Sequence, residues 1–307
     1  MLAVFHMPLC PSLTPEEIVR DVKHLPSAPR VLPRLKELLC DDNSAMHEIA
    51  ALIRLDPGIA ARVLQTANSA YFSKGVRCFA VDEAVQRVGF GQVYELVSLA
   101  VAAQVLVRPL AVYQIESDEL WKMSVACAIA AELLAERTGQ ERNVAYTVGL
   151  LHGVGMVAID EWALRNAGEL TLRREGFPAE ATADERAMFG FTQASVGAAL
   201  LLDWGFPRPI YDPVRWQYSP RQAMSQAPMA GLLHVAKWLR TVACAPQNPP
   251  PPVPAAEDLR ACKLTPKSLA ELATEVARRL HEVDSLLETK SVSVVGREKF
   301  PAQSWGG

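Results

Sequence analysis

The sequence lacks an excess of basic residues. Its 307 residues include 31 Lys and Arg against 34 Asp and Glu, which gives a formal net charge of −3. A protein that neutralises several phosphates of DNA or RNA needs a concentrated positive surface. The densest basic pairs, Arg173 with Arg174 and Arg278 with Arg279, stand beside acidic residues, which is typical of solvated helix faces. We therefore expect no nucleic-acid partner.

The sequence also lacks the close cysteine pairs of redox and zinc motifs. Its six cysteines are far apart: Cys10, Cys40, Cys78, Cys127, Cys244 and Cys262. Widely spaced cysteines among apolar residues are typical of reduced thiols inside a cytoplasmic protein. We therefore expect no disulfide framework.

No apolar run reaches the ~18–20 residues that a membrane-spanning helix needs. Residues 1–13 are apolar, but they carry no basic start, and Pro8 and Pro11 interrupt them too early for a signal peptide. These absences predict a cytoplasmic location and no membrane partner.

The pattern of apolar residues along the chain is mainly helical, and half of the residues are hydrophobic. Apolar residues recur at three- and four-residue spacing in most segments. The sequence shows no alternation of predicted strands and helices, which a receiver domain or a dinucleotide fold would require. Small residues recur where helices would have to approach closely. The sequence therefore predicts an all-α protein, a two-lobed helical bundle with a large core.

Capping residues predict where several helices begin. We expect starts at Ser44, at Asp56 followed by Pro57, at Asp82 and at Ser117, because short polar side chains satisfy the first free N–H groups. Gly89 and Gly139 are expected to end two of these helices, since glycine readily adopts the left-handed conformation of a helix end. The stretch from Gly91 to Leu106 is apolar on most sides, so we expect it to be buried.

The same patterns divide the chain into five parts. The stretch "QNPPPPVP" predicts an extended connector, and the helix beyond it carries an apolar stripe over residues 266–288 that either completes the core or forms a homodimer seam. The predicted parts are an extension at 1–16, a main domain at 17–245 with lobes at about 17–110 and 116–245, a connector at 246–256, a C-terminal helix at 257–290 that packs on the domain, and a tail at 291–307.

Seven blocks occur in the order found in one protein family. They are "LPSAPRVLPRLKELL", "IAALIRLDPGIAARVLQTANSAYF", "VDEAVQRVGFGQVYELV", "LWKMSVACAIAAELLA", "VGLLHGVGMVAI", "FGFTQASVGAALLLDWGFP" and "LLHVAKWL". The chain resembles HDOD domains, relatives of the HD and HD-GYP metal-dependent phosphohydrolases, from about residue 25 to about residue 239. The resemblance implies an HD-like second lobe and a role as an output or adaptor module in bacterial signal transduction.

The resemblance also implies where the metal ligands of catalytic relatives would stand. His152 matches the motif histidine, Gly153 replaces the aspartate after it, and Lys237 replaces another aspartate. Met123 and Gln193 replace histidines, and Gln217, between Trp216 and Tyr218, stands where a pair of histidines is common. The degenerate HD positions are Met123, His152, Gly153, Gln193, Gln217 and Lys237.

These replacements leave only His152, and at most His234, as metal donors. Two donors are too few for a divalent ion that must activate water. We therefore expect a non-catalytic protein without metal or cofactor, in which a ring nitrogen of His152 bonds to a backbone carbonyl or a side chain. Gly153 and Lys237 would leave room and positive charge for an anionic small molecule. The alternative is a residual metal-dependent phosphohydrolase or phosphodiesterase acting on a nucleotide.

Partner recognition is expected from signalling proteins, on a surface that includes Asn68, Tyr71, Phe72, His152 and His234. The stretch "ANSAYF" permits two interpretations. Asn68 would end its helix in a left-handed conformation while Tyr71 and Phe72 fold back on the bundle, or the two aromatic residues would form part of a partner-binding groove. The first interpretation is favoured by how often aromatic residues staple helix ends. The glycines of "VGFGQVYELV" predict a turn rather than a phosphate site, since no strand precedes them.

Overall fold

The structure is a computed structural model that describes residues 13–20, 31, 34, 35, 38, 44–69, 71–73, 75–89, 92, 93, 109–167, 170–173, 181–244 and 251–288. Across these ranges the chain forms helices, turns and a single isolated bridge, between Leu110 and Ile115, so the all-α prediction is confirmed. The predictions for Cys10, Cys40, Gly91, Arg174 and the tail at 291–307 lie outside the described residues.

The helices are numbered here in chain order. They are α1 (Pro15–Val19), α2 (Met46–Arg54), α3 (Pro57–Ala67), α4 (Val81–Val88), α5 (Ser117–Thr138), α6 (Arg142–Leu151), α7 (Val154–Asn166), α8 (Thr182–Phe189), α9 (Gln193–Asp203), α10 (Arg208–Arg215), a 3₁₀ helix (Pro220–Gln226), α11 (Ala227–Cys244), α12 (Ala256–Ala261) and α13 (Pro266–Glu288). None of the described helices is both long enough and apolar enough to cross a membrane.

Three of the predicted helix ends are confirmed. The Asp56 carboxylate accepts a 2.9 Å bond from the Ile59 N–H, and Pro57 occupies the first position of α3, where its missing N–H costs nothing. Gly89 ends α4 with a φ of 82°, and Gly139 ends α5 in the left-handed conformation with a φ of 78°. Local sequence therefore determines these ends.

Three predicted starts are wrong by one or two residues. Ala45 precedes α2 instead of Ser44, because the Glu48 carboxylate accepts the Ala45 N–H at 3.2 Å and fixes the first turn there. Asp82 lies inside the first turn of α4, where its carboxylate binds Arg54 at 2.9 Å instead of capping the helix. Ser117 is the first residue of α5, and the extended residue before that helix is Glu116.

Small residues bring the helices of the second lobe into close contact, as the sequence predicts. A Cβ atom on Gly149 of α6 would lie 2.6 Å from the Cys127 carbonyl of α5. A Cβ atom on Gly155 of α7 would overlap the Gln193 carbonyl of α9 and lie 2.7 Å from the Gly197 nitrogen. Backbone therefore meets backbone at both crossings, and these glycines are required by packing.

Arg54, the last residue of α2, joins the first lobe to the second. Arg54 binds Asp82 of α4 and Glu132 of α5, each at 2.9 Å, and its guanidinium lies 4.1 Å from the ring centre of Tyr146. The Tyr146 hydroxyl donates to the Arg54 carbonyl at 2.8 Å. This junction attaches the first lobe to α5 and α6.

The C-terminal helix α13 packs against α5 and α11 of the same chain. Its apolar stripe is buried there, through Leu269, Leu272, Val276 and Leu280, so the stripe completes the core. Before it, the indole N–H of Trp238 donates to the Pro252 carbonyl at 2.9 Å and fastens the proline-rich connector to α11. On the outer face of α13, Arg278 and Arg279 both bind Glu275, as expected of a solvated helix face.

Candidate functional site

His152 lies at the turn between α6 and α7 and is 1% exposed. Its Nδ1 donates to the Gly149 carbonyl at 2.6 Å, so its partner is a backbone carbonyl, one of the two kinds of partner that the sequence predicts. The bond satisfies one of the free carbonyls in the last turn of α6. His152 therefore serves first as a cap for the helix on which it lies.

The second ring nitrogen of His152 faces a cation. Nη1 of Arg240, on α11, donates to His152 Nε2 at 2.5 Å, and the Arg240 side chain is fully buried. Since a guanidinium can only donate, Nε2 must carry a lone pair, and His152 is the neutral tautomer with its proton on Nδ1. Burial, followed by the charges of Arg240 and Lys237, holds the pKa of His152 well below its usual range.

Lys237 supplies a second buried positive charge, one helical turn before Arg240 on α11. Its Nζ donates to Gln217 Oε1 at 2.7 Å and lies 3.6 Å from the ring centre of Tyr218. The amide nitrogen of Gln217 donates to the His152 carbonyl at 3.0 Å. Gln217 therefore connects Lys237 to the turn that carries His152.

Gln193 joins the same network from the start of α9. Its backbone N–H donates to the buried Glu185 carboxylate at 2.9 Å, and its side-chain nitrogen donates to the Tyr218 hydroxyl at 3.0 Å. Glu185 also accepts the Tyr113 hydroxyl at 2.8 Å. A carboxylate at the first turn of a helix is favourable because it faces the free N–H groups there.

These contacts connect six buried residues and the half-buried Tyr218 into one continuous network, which we call the buried polar chain. Its members are Glu185, Gln193, Tyr218, Lys237, Gln217, His152 and Arg240. The sequence predicts four of these residues and marks Tyr218 as a neighbour, but it does not indicate Glu185 or Arg240. The available signal was that Lys237 and Arg240 stand three residues apart on an otherwise apolar helix.

The remaining positions lie around this chain. Met123 is buried on α5, and His234 is half-buried with its Nδ1 3.0 Å from the Gln217 carbonyl oxygen. The space beside Gly153, which the sequence suggested could admit an anion, is filled by Met156, whose Cε would lie 2.9 Å from a Cβ at Gly153. Within the described ranges, no group of three or more His, Cys, Asp or Glu side chains is arranged to hold a metal ion.

The second candidate region is the aromatic loop, residues 69–77, of which 70 and 74 are not described. Asn68 does not end α3 in a left-handed conformation, because its φ is −93°. Its amide instead pairs with Cys78 across the base of the loop: Oδ1 accepts the Cys78 N–H at 2.7 Å, and Nδ2 donates to the Cys78 carbonyl at 2.9 Å. Asn68 thus closes the loop and is itself buried.

Tyr71 does not fold back on the bundle. Its side chain is 84% exposed, and its ring stands edge-on to the half-buried Phe72 ring, with 4.8 Å between the ring centres. The favoured interpretation of Tyr71 as a staple is therefore wrong. Of the five residues expected on a recognition surface, Asn68 and His152 are buried, and Tyr71 with Phe72 lies at the surface.

Comparison with known proteins identifies this arrangement. The family model of the HDOD domain matches residues 25–220. A protein of Treponema pallidum (strain Nichols) is 26% identical over 204 residues, which are 64% of this chain and 38% of that protein. The chain therefore spans well under half the length of this relative.

Two crystal structures share the fold. The MmoQ response regulator of Methylococcus capsulatus (Bath) is 24% identical, with 81% of this chain and 98% of that chain covered at a TM-score of 0.61. A virulence factor of Campylobacter jejuni is 17% identical, with 87% and 100% covered at a TM-score of 0.61. With more than half of its length matched by the family model, this chain belongs to the HDOD family.

Proposed function

We propose that the protein is a non-catalytic regulator of bacterial signal transduction that acts by binding other signalling proteins. One contact carries the proposal: Arg240 donates to His152 Nε2 at 2.5 Å. That lone pair is the one an imidazole with a bonded Nδ1–H offers to a metal ion. A guanidinium stands where the metal would bind.

The charge around His152 supports the same conclusion. A catalytic divalent ion needs several anionic or neutral donors and an open position for water. Here Lys237 and Arg240, both buried, place two positive charges around His152. Four of the six degenerate positions instead hold hydrogen-bond partners within the core: His152, Gln193, Gln217 and Lys237.

The proposed signalling role rests on membership of the HDOD family and on structural similarity to a response regulator. HDOD domains resemble output and adaptor modules, and one protein with the same fold is the MmoQ response regulator. Because one fold hosts many functions, this likeness supports a class of role and names no partner. The cytoplasmic location predicted from the sequence is part of this proposal.

Metal analysis of the purified full chain, without added metal or tag, tests the proposal. We expect far less than one equivalent of iron, manganese or zinc, and no hydrolysis of bis(p-nitrophenyl) phosphate when each metal is added. The His152→Gln variant should behave as the wild type does in both assays. A full equivalent of metal that this variant loses, together with hydrolysis, would instead establish the phosphohydrolase alternative.

Gly153→Asp provides a second check. Restoring the motif carboxylate beside His152 should not create a metal site, because Arg240 still occupies Nε2 and Met123 and Gln193 still replace donors. Tight uptake of metal by this single variant would contradict the assignment.

A further inference from the structure

The aromatic loop forms one wall of a surface cleft lined by Tyr71, Phe72, Ser73, Val76 and Arg87. Two of its apolar side chains are among the most exposed of the described chain, since Tyr71 is 84% exposed and Val76 is 62% exposed. Folding gains nothing from apolar surface that stays in water. Exposed apolar side chains that line one cleft indicate a surface for binding.

The loop that presents these side chains is fastened at several points. Asn68 closes its base through both backbone groups of Cys78. Farther along, Arg87 donates to the Val76 carbonyl at 2.6 Å, and Arg77 donates to the Gly205 carbonyl, beyond α9, at 2.8 Å. A surface held in one conformation before binding loses less conformational entropy when a partner binds.

The charges beside the cleft are unequal. Arg87 lines the cleft and is paired with Glu83. Arg77 follows Val76 directly, is exposed, and forms no ion pair with a carboxylate of the described residues. The loop that forms a wall of the cleft therefore also carries an exposed positive charge, at the residue after Val76, that an acidic group of a partner can match.

We propose that this cleft binds an extended segment of a partner protein in which an apolar side chain lies against Tyr71, Phe72 and Val76 and a nearby Asp or Glu pairs with Arg77. The proposal rests on the proposed function and names the surface and the chemistry of the partner. Aromatic residues on a preformed surface are the usual centres of binding energy, and the charge pair with Arg77 adds selectivity and a faster association rate.

Selection of random 12-residue peptides displayed on phage, against the full wild-type chain, tests the proposal. We expect enriched peptides to combine a large apolar residue with Asp or Glu a few positions away. Fluorescence anisotropy of an enriched synthetic peptide should show at least tenfold weaker binding to Tyr71→Ala. Arg77→Gln should weaken binding several-fold and reduce its dependence on salt.

Val76→Ala and Val253→Ala form a matched pair of variants. Both valines are more than half exposed, at 62% and 55%, but Val253 lies in the proline-rich connector. Only Val76→Ala should weaken the peptide. Circular dichroism melting of each variant separates a binding defect from unfolding.

Three results would overturn the proposal. They are a selection that enriches no peptide, enriched peptides that bind Tyr71→Ala as well as the wild type, and sedimentation showing a dimer of the chain that Tyr71→Ala dissociates. The last result would assign the cleft to a second copy of the chain. None of these results changes the metal content, so the proposed absence of catalysis is tested separately.

Discussion

The buried polar chain and the aromatic loop use their side chains in opposite ways. In the buried polar chain, groups capable of chemistry bond to one another and to backbone inside the core, as His152 does with Gly149 and Arg240. At the aromatic loop, Asn68, Arg87 and the loop's own Arg77 bind backbone groups, and Tyr71 and Val76 extend into solvent. The residues with catalytic potential stabilise the fold, and the chemically inert ones are presented for contact.

Arg240 offers the first test of the stabilising role of the buried polar chain. Replacing Arg240 by Met keeps most of the side-chain volume but removes the donor to His152 Nε2 and a buried charge. Removing a charged hydrogen-bond donor, and so leaving the buried Nε2 of a neutral histidine without a partner, costs about 1.5–3 kcal/mol of unfolding free energy. Urea unfolding should show this loss.

The matched control is Arg215→Met, at an exposed position on α10. It should change the unfolding free energy by less than about 0.5 kcal/mol. Equal stability of the two variants would mean that the contact between Arg240 and His152 does not form in solution.

Asn68 is the corresponding point of attack in the aromatic loop. Asn68→Ala leaves the N–H and the carbonyl of Cys78 without their partners, and each unsatisfied buried group costs about 1–3 kcal/mol. We expect a loss of about 2–3 kcal/mol in urea unfolding, with faster amide exchange across residues 69–77. Asn143→Ala, at an exposed site on α6, serves as the control.

Sequence predicted the helices better than the site for a physical reason. Asp56 with Pro57, and the glycines at 89 and 139, act on neighbouring backbone, so their effect is readable locally. The start of α4 was misplaced because Arg54, 28 residues away, uses the Asp82 carboxylate. Likewise, the contact between Arg240 and His152 joins residues 88 positions apart, so no local pattern announces it.

The aromatic loop shows the same limit in the other direction. The sequence "ANSAYF" correctly marked a helix end at Asn68, but exposure depends on where the chain goes next. Tyr71 lies in a loop that the pairing of Asn68 with Cys78 closes, and its side chain extends into solvent from there. The fact that aromatic residues often pack on helix ends gives no information about the pairing of Asn68 with Cys78, ten positions later.

The buried polar chain should also make stability depend on pH. The folded pKa of His152 lies well below that of the unfolded chain, so the unfolded state binds more protons as pH falls through about 6.5. This contribution to stability is fully present above about pH 6.5 and declines below it, by up to about 1.4 kcal/mol per pH unit. Unfolding measured at pH 7.5 and pH 5.0 should differ by about 2 kcal/mol from this group.

His152→Gln is the control for that dependence. Glutamine can accept from Arg240 but does not titrate, so the variant should lose the part of the slope that His152 supplies. An unchanged slope would mean that His152 is protonated in the folded protein or that Arg240 does not face it.

The smallest effect is expected at Tyr71, and the same substitution at Tyr113, which binds the buried polar chain at Glu185, provides the comparison. Tyr71→Phe removes a hydroxyl that is already in water, so the unfolding free energy should change by less than about 0.5 kcal/mol. Tyr113→Phe removes a buried hydroxyl that donates to the Glu185 carboxylate at 2.8 Å, and should cost about 1.5–3 kcal/mol. A loss above about 1 kcal/mol for Tyr71→Phe would mean that this ring packs on the protein in solution, and the cleft would then be covered by the protein's own side chains instead of being open to a partner.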